Sequence, residues 1–135
     1  MIIYSIGKRI KNFIKVKVFN SQKNIKSSPS IVYKVNVGDS PKKIEEGKVV
    51  YYYESGKIKA ECNYKNYQLD GISNYFFENG KIKAKECYKD GALEGLSKRY
   101  YMNGIVNSEE YYKKGILMFK RVFNLDGSVT TETQY

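Results

Sequence analysis

The chain has 135 residues with two prolines and 41% hydrophobic content, which suits a single folded domain. It has no histidine, so the commonest general base and metal ligand is missing, and its longest apolar run, Val49 to Tyr53, is far short of the roughly 20 residues of a membrane-spanning helix. The formal charge is +10, but only three of the 24 basic residues are Arg, the side chain that base-edge readout favours, which speaks against sequence-specific nucleic-acid recognition.

The positive charge is concentrated at the start. Residues 1–26 hold Lys8, Arg9, Lys11, Lys15, Lys17, Lys23 and Lys26 and no acid, whereas residues 48–135 hold 14 basic and 11 acidic groups. This asymmetry predicts an anionic partner for the first segment, with a membrane surface as one candidate and Lys8, Arg9, Lys11, Lys15 and Lys17 as the lipid-contacting residues. The opening MIIYSIGKRIKNF has no apolar stretch of signal-peptide length, so a cytoplasmic protein is expected. Residues 2–14 read as a basic amphipathic helix, with Ile3, Ile6, Ile10 and Phe13 or Ile14 on one face, or else as the approach to a strand. The alternating runs Phe13 to Phe19 and Ile31 to Val37 suit half-buried strands, and Ser27 to Ser30 suits a loop. Residues 1–42 are thus expected to form a short β or mixed segment that packs on the following sheet or extends it.

From residue 43 to residue 135 the chain repeats with a period of 24. Gly56, Gly80 and Gly104 form one column, Gly47, Gly71 and Gly95 a second, and Gly91 and Gly115 a third. Turn dipeptides recur at Ser55-Gly56, Asn66-Tyr67, Asn79-Gly80, Asp90-Gly91, Asn103-Gly104, Lys114-Gly115 and Asp126-Gly127. Asn-Gly and Asp-Gly between strand-like runs favour type I′ hairpins, because both central residues need positive φ. The fold class expected is all-β, an elongated antiparallel single-sheet meander of hairpin repeats with about eight strands over this region. Two-residue turns would pair Phe77 with Ile82, Tyr75 with Ala84, Tyr88 with Leu93 and Glu86 with Gly95.

That register sorts the side chains. One face receives the columns Tyr53/Phe77/Tyr101, Ile58/Ile82/Val106, Ala60/Ala84/Ser108, Tyr64/Tyr88/Tyr112 and Leu69/Leu93/Leu117. The other receives Tyr52/Phe76/Tyr100, Lys59/Lys83/Asn107 and Glu61/Lys85/Glu109. Exposed tyrosine is favoured at interfaces, so Tyr52, Phe76 and Tyr100 form a candidate protein-binding stripe, with Lys59 and Lys83 selecting an acidic partner. Gly71 and Gly95 fall mid-strand, where a bulge or a covering aromatic ring is expected.

Little in the chain suggests chemistry, and no catalytic residue, metal site or cofactor is assigned. Cys62 and Cys87 fall on opposite faces and are expected to be free thiols. Glu86 and Glu110 share a column and read as edge-exposed carboxylates near tyrosine hydroxyls. Asn124 to Ser128 superficially matches the start of a calcium loop, but Tyr135 stands where its last ligand would be, and a hairpin turn is expected instead.

The pattern Tyr-x-x-Glu-Asn-Gly-Lys-Ile, then Glu-x-Tyr-Lys-Asp-Gly, then Leu-Glu-Gly, from Tyr75 to Gly95, resembles the MORN-repeat variant common in bacterial proteins grouped as YwqK-family antitoxins. The resemblance covers residues 44–135. It implies a cytoplasmic, non-enzymatic hairpin ribbon that neutralises or scaffolds a protein partner such as a toxin. Eukaryotic relatives of the repeat are linked to membrane-associated scaffolds, which implies anionic-lipid binding as the alternative. The chain departs from the pattern at Tyr67 and Phe119, which replace glycines, at Ile105, which replaces lysine, and in a last unit one residue short. Tyr67 speaks against a tight type I′ turn at that position.

Overall fold

The computed structural model describes residues 44–135 in full, and the backbone of Ile14–Lys17 and Ile31–Val35. The strands are β1 (Ile14–Lys17), β2 (Ile31–Val35), β3 (Glu46–Tyr52), β4 (Ile58–Lys65), β5 (Gln68–Leu69), β6 (Gly71–Phe76), β7 (Ile82–Lys89), β8 (Ala92–Leu93), β9 (Gly95–Tyr100), β10 (Val106–Lys113), β11 (Ile116–Phe123) and β12 (Val129–Gln134). All lie in one open sheet ordered β1-β2-β3-β4-β6-β7-β9-β10-β11-β12, with short β5 and β8 continuing the hairpins on β4 and β7. From β3 onward every pairing is antiparallel. β2 joins parallel to β3, the one departure from a purely antiparallel sheet. The choice between helix and strand for residues 2–13 and the boundary near residue 42 both lie outside the described residues.

Two kinds of turn alternate along the meander. At Asn66-Tyr67, Asp90-Gly91 and Lys114-Gly115 both central residues have positive φ (49° and 66°, 48° and 81°, 50° and 79°), the geometry of a two-residue type I′ turn. Tyr67 therefore adopts the left-handed conformation that its bulk opposes, contrary to the sequence expectation. The neighbouring hairpins hold it there: the Tyr67 amide donates to the Glu45 carbonyl as Gly91 does to Leu69 and Gly115 to Leu93.

The other row, at Gly56, Gly80, Gly104 and Gly127, is built differently. The Gly80 amide donates to the Phe77 carbonyl and the Phe77 amide to the Lys81 carbonyl, a wider loop with the glycine alone at positive φ (84°). The Asn79 Oδ1 accepts from the Lys81 amide, as Asn103 does from Ile105 and Asp126 from Ser128, so the side chain before Gly80, Gly104 and Gly127 closes its own turn. This loop ends in a β-bulge, so Tyr75 faces Ala84 as expected but Phe76, rather than Phe77, faces Ile82.

A second irregularity recurs near the type I′ turns. Tyr64 faces Leu69 but Ala60 faces Tyr75, so the register against β4 slips by two residues around Asp70 and Gly71. The same slip at Glu94 and Gly95 brings Arg99 opposite Ala84, and continuing that register sets Ser97, rather than the expected Gly95, beside Glu86. Gly71 and Gly95 supply the positive φ (97° and 85°) that the slip needs, and a tyrosine faces each across the strand pair, Tyr88 opposite Gly71 and Tyr112 opposite Gly95. The displaced acids are used: Asp70 accepts from the Asp90 amide and from Lys89, and Glu94 accepts from the Lys114 amide, each clasping the turn of the next repeat.

Among the described residues, burial comes from side chains lying along the sheet. Across one face runs the row Tyr51, Ala60, Tyr75, Ala84, Arg99, Ser108 and Val122, each facing the next across a strand pair. Large and small residues alternate, so each long side chain has a small neighbour to lie over. Ala60, Ala84 and Ser108 are buried as a result. Ile44 and Val49, with Tyr51 and Tyr64 packed against them, form the main apolar cluster among the described residues.

Candidate protein-binding surface

The bulges redistribute the side chains that sequence alternation assigns. Because Tyr75 and Phe76 are adjacent and face Ala84 and Ile82 respectively, Ile82 lies on the face opposite Ala84. The same holds for Ile58 against Tyr52 and Val106 against Tyr100, and in the short last unit Phe123 faces Val129. The column Ile58/Ile82/Val106 thus belongs with Tyr52/Phe76/Tyr100 and not with the alanines. The result is an aromatic–aliphatic ladder of four cross-strand pairs beside the wide turns, and most of its members are half-buried or exposed. Between the turns at Gly56 and Gly80, Ile58 and Phe76 help to wall an open hollow of about 460 Å³.

Lys59 and Lys83 move the opposite way. They line a hollow of about 260 Å³ with Tyr53, Tyr75, Phe76, Ala84, Glu86 and Arg99, mostly on the small-residue face. Each ammonium lies 5.9 Å from an aromatic centroid, Lys59 over Tyr53 and Lys83 over Phe77. The stripe Tyr52/Phe76/Tyr100 and its flanking lysines thus sit on different faces of the same sheet margin, and Phe76 meets Lys59 and Lys83 at the smaller hollow. The Tyr53 and Tyr101 hydroxyls do structural work there, donating to the Phe76 and Phe123 carbonyls at 2.6 and 2.8 Å.

The faces also differ electrostatically. On the ladder face Lys48 pairs with Glu61, Lys98 with Glu109, and Arg121 with Glu132, at 3.2, 2.7 and 2.7 Å, so charge is largely cancelled. On the small-residue face Glu86 and Glu110 are buried, not edge-exposed as their column suggests. Arg99 links them, 3.0 Å from Glu86 and 3.7 Å from Glu110, while Lys120 reaches Glu110 at 2.8 Å. The Tyr88 and Tyr112 hydroxyls donate to Glu86 and Glu110. Burial, then the bond to Glu86, pushes the Tyr88 phenol up to about 12, so it stays a donor at neutral pH. For Glu110, burial favours the neutral acid, but the bonds from Lys120 and Tyr112 outweigh it and hold the carboxyl below its ordinary range.

Both carboxylates are thus held by the chain's own donors. Cys62 and Cys87 are free and on opposite faces, and burial raises the Cys62 thiol pKa, which disfavours the nucleophilic thiolate. The Asp126 carboxylate is occupied by the Ser128 amide and hydroxyl within its turn. Among the described residues, no group of three or more potential ligands could hold a metal ion. Lys15 and Lys17 fall on β1, and Lys8, Arg9 and Lys11 lie outside the described residues.

Fold and surface together define a β-hairpin repeat module, one sheet built from a unit of two long strands and two unlike turns. The MORN repeat variant matches residues 45–66, 69–90 and 93–114, so the chain carries three consecutive copies of that repeat. A search of curated proteins found no match.

Proposed function

We propose that this chain is a non-catalytic protein-binding module that uses the ladder margin of its sheet, acting in the cytoplasm as the antitoxin or immunity-type partner of a toxin. The ladder carries the reading: Tyr52–Ile58, Phe76–Ile82, Tyr100–Val106 and Phe123–Val129 form an uncharged strip beside an open hollow, and all eight residues are half-buried or exposed. Carboxylates held by the chain's own donors and the lack of histidine support a binding role over catalysis.

Affinity capture from the native cell, with wild type beside a Tyr52/Phe76/Tyr100 triple alanine variant, tests it. Wild type is expected to retain a specific protein that the variant loses, and a neighbouring-gene toxin would support the immunity version. Capture of nothing specific by wild type removes the reading. Undiminished capture by the variant moves the contact elsewhere on the sheet.

The seven basic residues and absent acids of residues 1–26 favour a second reading, attachment to an anionic membrane surface. Sedimentation with phosphatidylserine vesicles should then be salt-sensitive and lost on deleting residues 1–26. Equal sedimentation of both forms excludes it.

A further inference from the structure

We infer that the hollow between Lys59 and Lys83 on the small-residue face is a receptor for a carboxylate side chain of a protein partner. It rests on the protein-binding reading only in naming a protein as the carboxylate's source.

Lys59 on β4 and Lys83 on β7 are separated by the single strand β6, and the register Ala60–Tyr75–Ala84 aligns them across the sheet. Two strand spacings set their backbones about 10 Å apart, within reach of two lysine side chains converging on one group. Among the described residues neither lysine makes an ion pair. Every other group in the hollow that could neutralise them is engaged, since Glu86 is held by Arg99 and by Tyr88. Each ammonium lies over an aromatic ring, which does not cancel its charge.

Size and charge select the ligand. At about 260 Å³ the hollow falls below the roughly 300 to 1,000 Å³ of small-molecule sites, so a single side chain fits it better than a cofactor. A phosphate dianion is best met by a free guanidinium fork, but Arg99 is committed to Glu86 and Glu110. The Glu86 carboxylate in the wall adds repulsion that grows with ligand charge. A monoanionic carboxylate between two ammoniums suits this balance, with Tyr53 and Tyr75 as walls for its methylene stem.

The test is titration of the full isotope-labelled chain with a glutamate homopeptide at physiological ionic strength, where charges are screened over about 8 Å. Amide shifts are expected to centre on Lys59, Lys83 and Ala84. A Lys59→Gln/Lys83→Gln variant should bind about tenfold more weakly or worse. A Lys85→Gln/Lys113→Gln variant, which removes the same charge from the opposite face, should change affinity less than about twofold. Lys59→Arg/Lys83→Arg should retain binding, and unchanged melting of all variants excludes misfolding as the cause. Absence of wild-type binding, or equal loss in the two glutamine variants, overturns the inference. So does displacement of the peptide by inorganic phosphate or by phosphatidylserine vesicles as readily as by free peptide. If a protein captured by wild type is captured undiminished by Lys59→Gln/Lys83→Gln, the carboxylate receptor is wrong while the protein-binding reading stands. If wild type captures nothing specific, that reading fails, and the peptide titration still decides whether the hollow takes a carboxylate.

Discussion

The two faces of this sheet bury their side chains in different ways. The small-residue face alternates long with short side chains, and Ser73 and Ser97 are 0% and 2% exposed beneath their neighbours. On the ladder face Ile72, opposite Cys87, and Leu96, opposite Tyr111, adjacent in sequence to those serines, stay 55% and 48% exposed. Burial in these repeats does not follow hydrophobicity. Serines are interior here and a leucine is not.

Adjacent positions on β9 give the strongest test of that contrast. Ser97→Leu should destabilise by about 1 to 3 kcal/mol, because the added atoms must displace Glu86 and Glu110. Leu96→Ser, one residue away on the other face, should stay within about 0.5 kcal/mol. Urea unfolding of the pair measures both, and equal losses would mean the faces are wrongly assigned.

The buried carboxylates sharpen the comparison through pH. The folded pKa of Glu110 is lowered, so the unfolded chain takes up the proton first as pH falls. The stability it contributes is therefore complete above the ordinary glutamate range near about 4.3, and is lost on descending from there through the lowered folded value. Glu110→Gln should cost about 1 to 2 kcal/mol at neutral pH, since charge-assisted bonds from Lys120 and Tyr112 weaken. Its melting temperature should also decline less steeply in acid than that of wild type. Parallel pH profiles would show that the Glu110 network contributes nothing to the difference between faces.

The smallest effect concerns the turns. Left-handed geometry costs a bulky residue about 1 to 2 kcal/mol, while glycine's extra freedom in the unfolded chain returns about 0.4 to 1 kcal/mol. Tyr67→Gly should thus stabilise by about 0.5 to 1 kcal/mol, and Gly91→Tyr should do the reverse. A loss of stability in Tyr67→Gly would mean that the tyrosine ring supplies packing worth more than its strain.

The sequence carries much of this architecture openly. Glycine columns and alternating apolar residues are local signals, and they place the repeat, the turns, the face of the Ala60/Ala84/Ser108 and Tyr64/Tyr88/Tyr112 columns, and the separation of Cys62 from Cys87. The surface chemistry was harder to read, because Asn79-Gly80 and Asp90-Gly91 look alike yet one closes a wide bulged loop and the other a two-residue turn. That single difference exchanges Ile82 with Lys83 between faces, so the lysines flank the aromatic stripe from the other face. The unequal spacing of successive turn dipeptides, 11 then 13 residues, was the available sign that two kinds of hairpin alternate. Burial of Glu86 and Glu110 depended on Arg99 and Lys120, which reach them from neighbouring strands and have no counterpart in the repeat pattern.

The alternation of Tyr51, Ala60, Tyr75, Ala84, Arg99, Ser108 and Val122 also constrains how such a chain can change in length. Adding or removing one strand would set two long or two short side chains side by side at the junction, a clash or a void there. Adding a whole hairpin restores the order unchanged. The molecule can therefore grow or shrink only by pairs of strands, and duplication in units of 24 residues follows from packing parity as much as from the history of its gene.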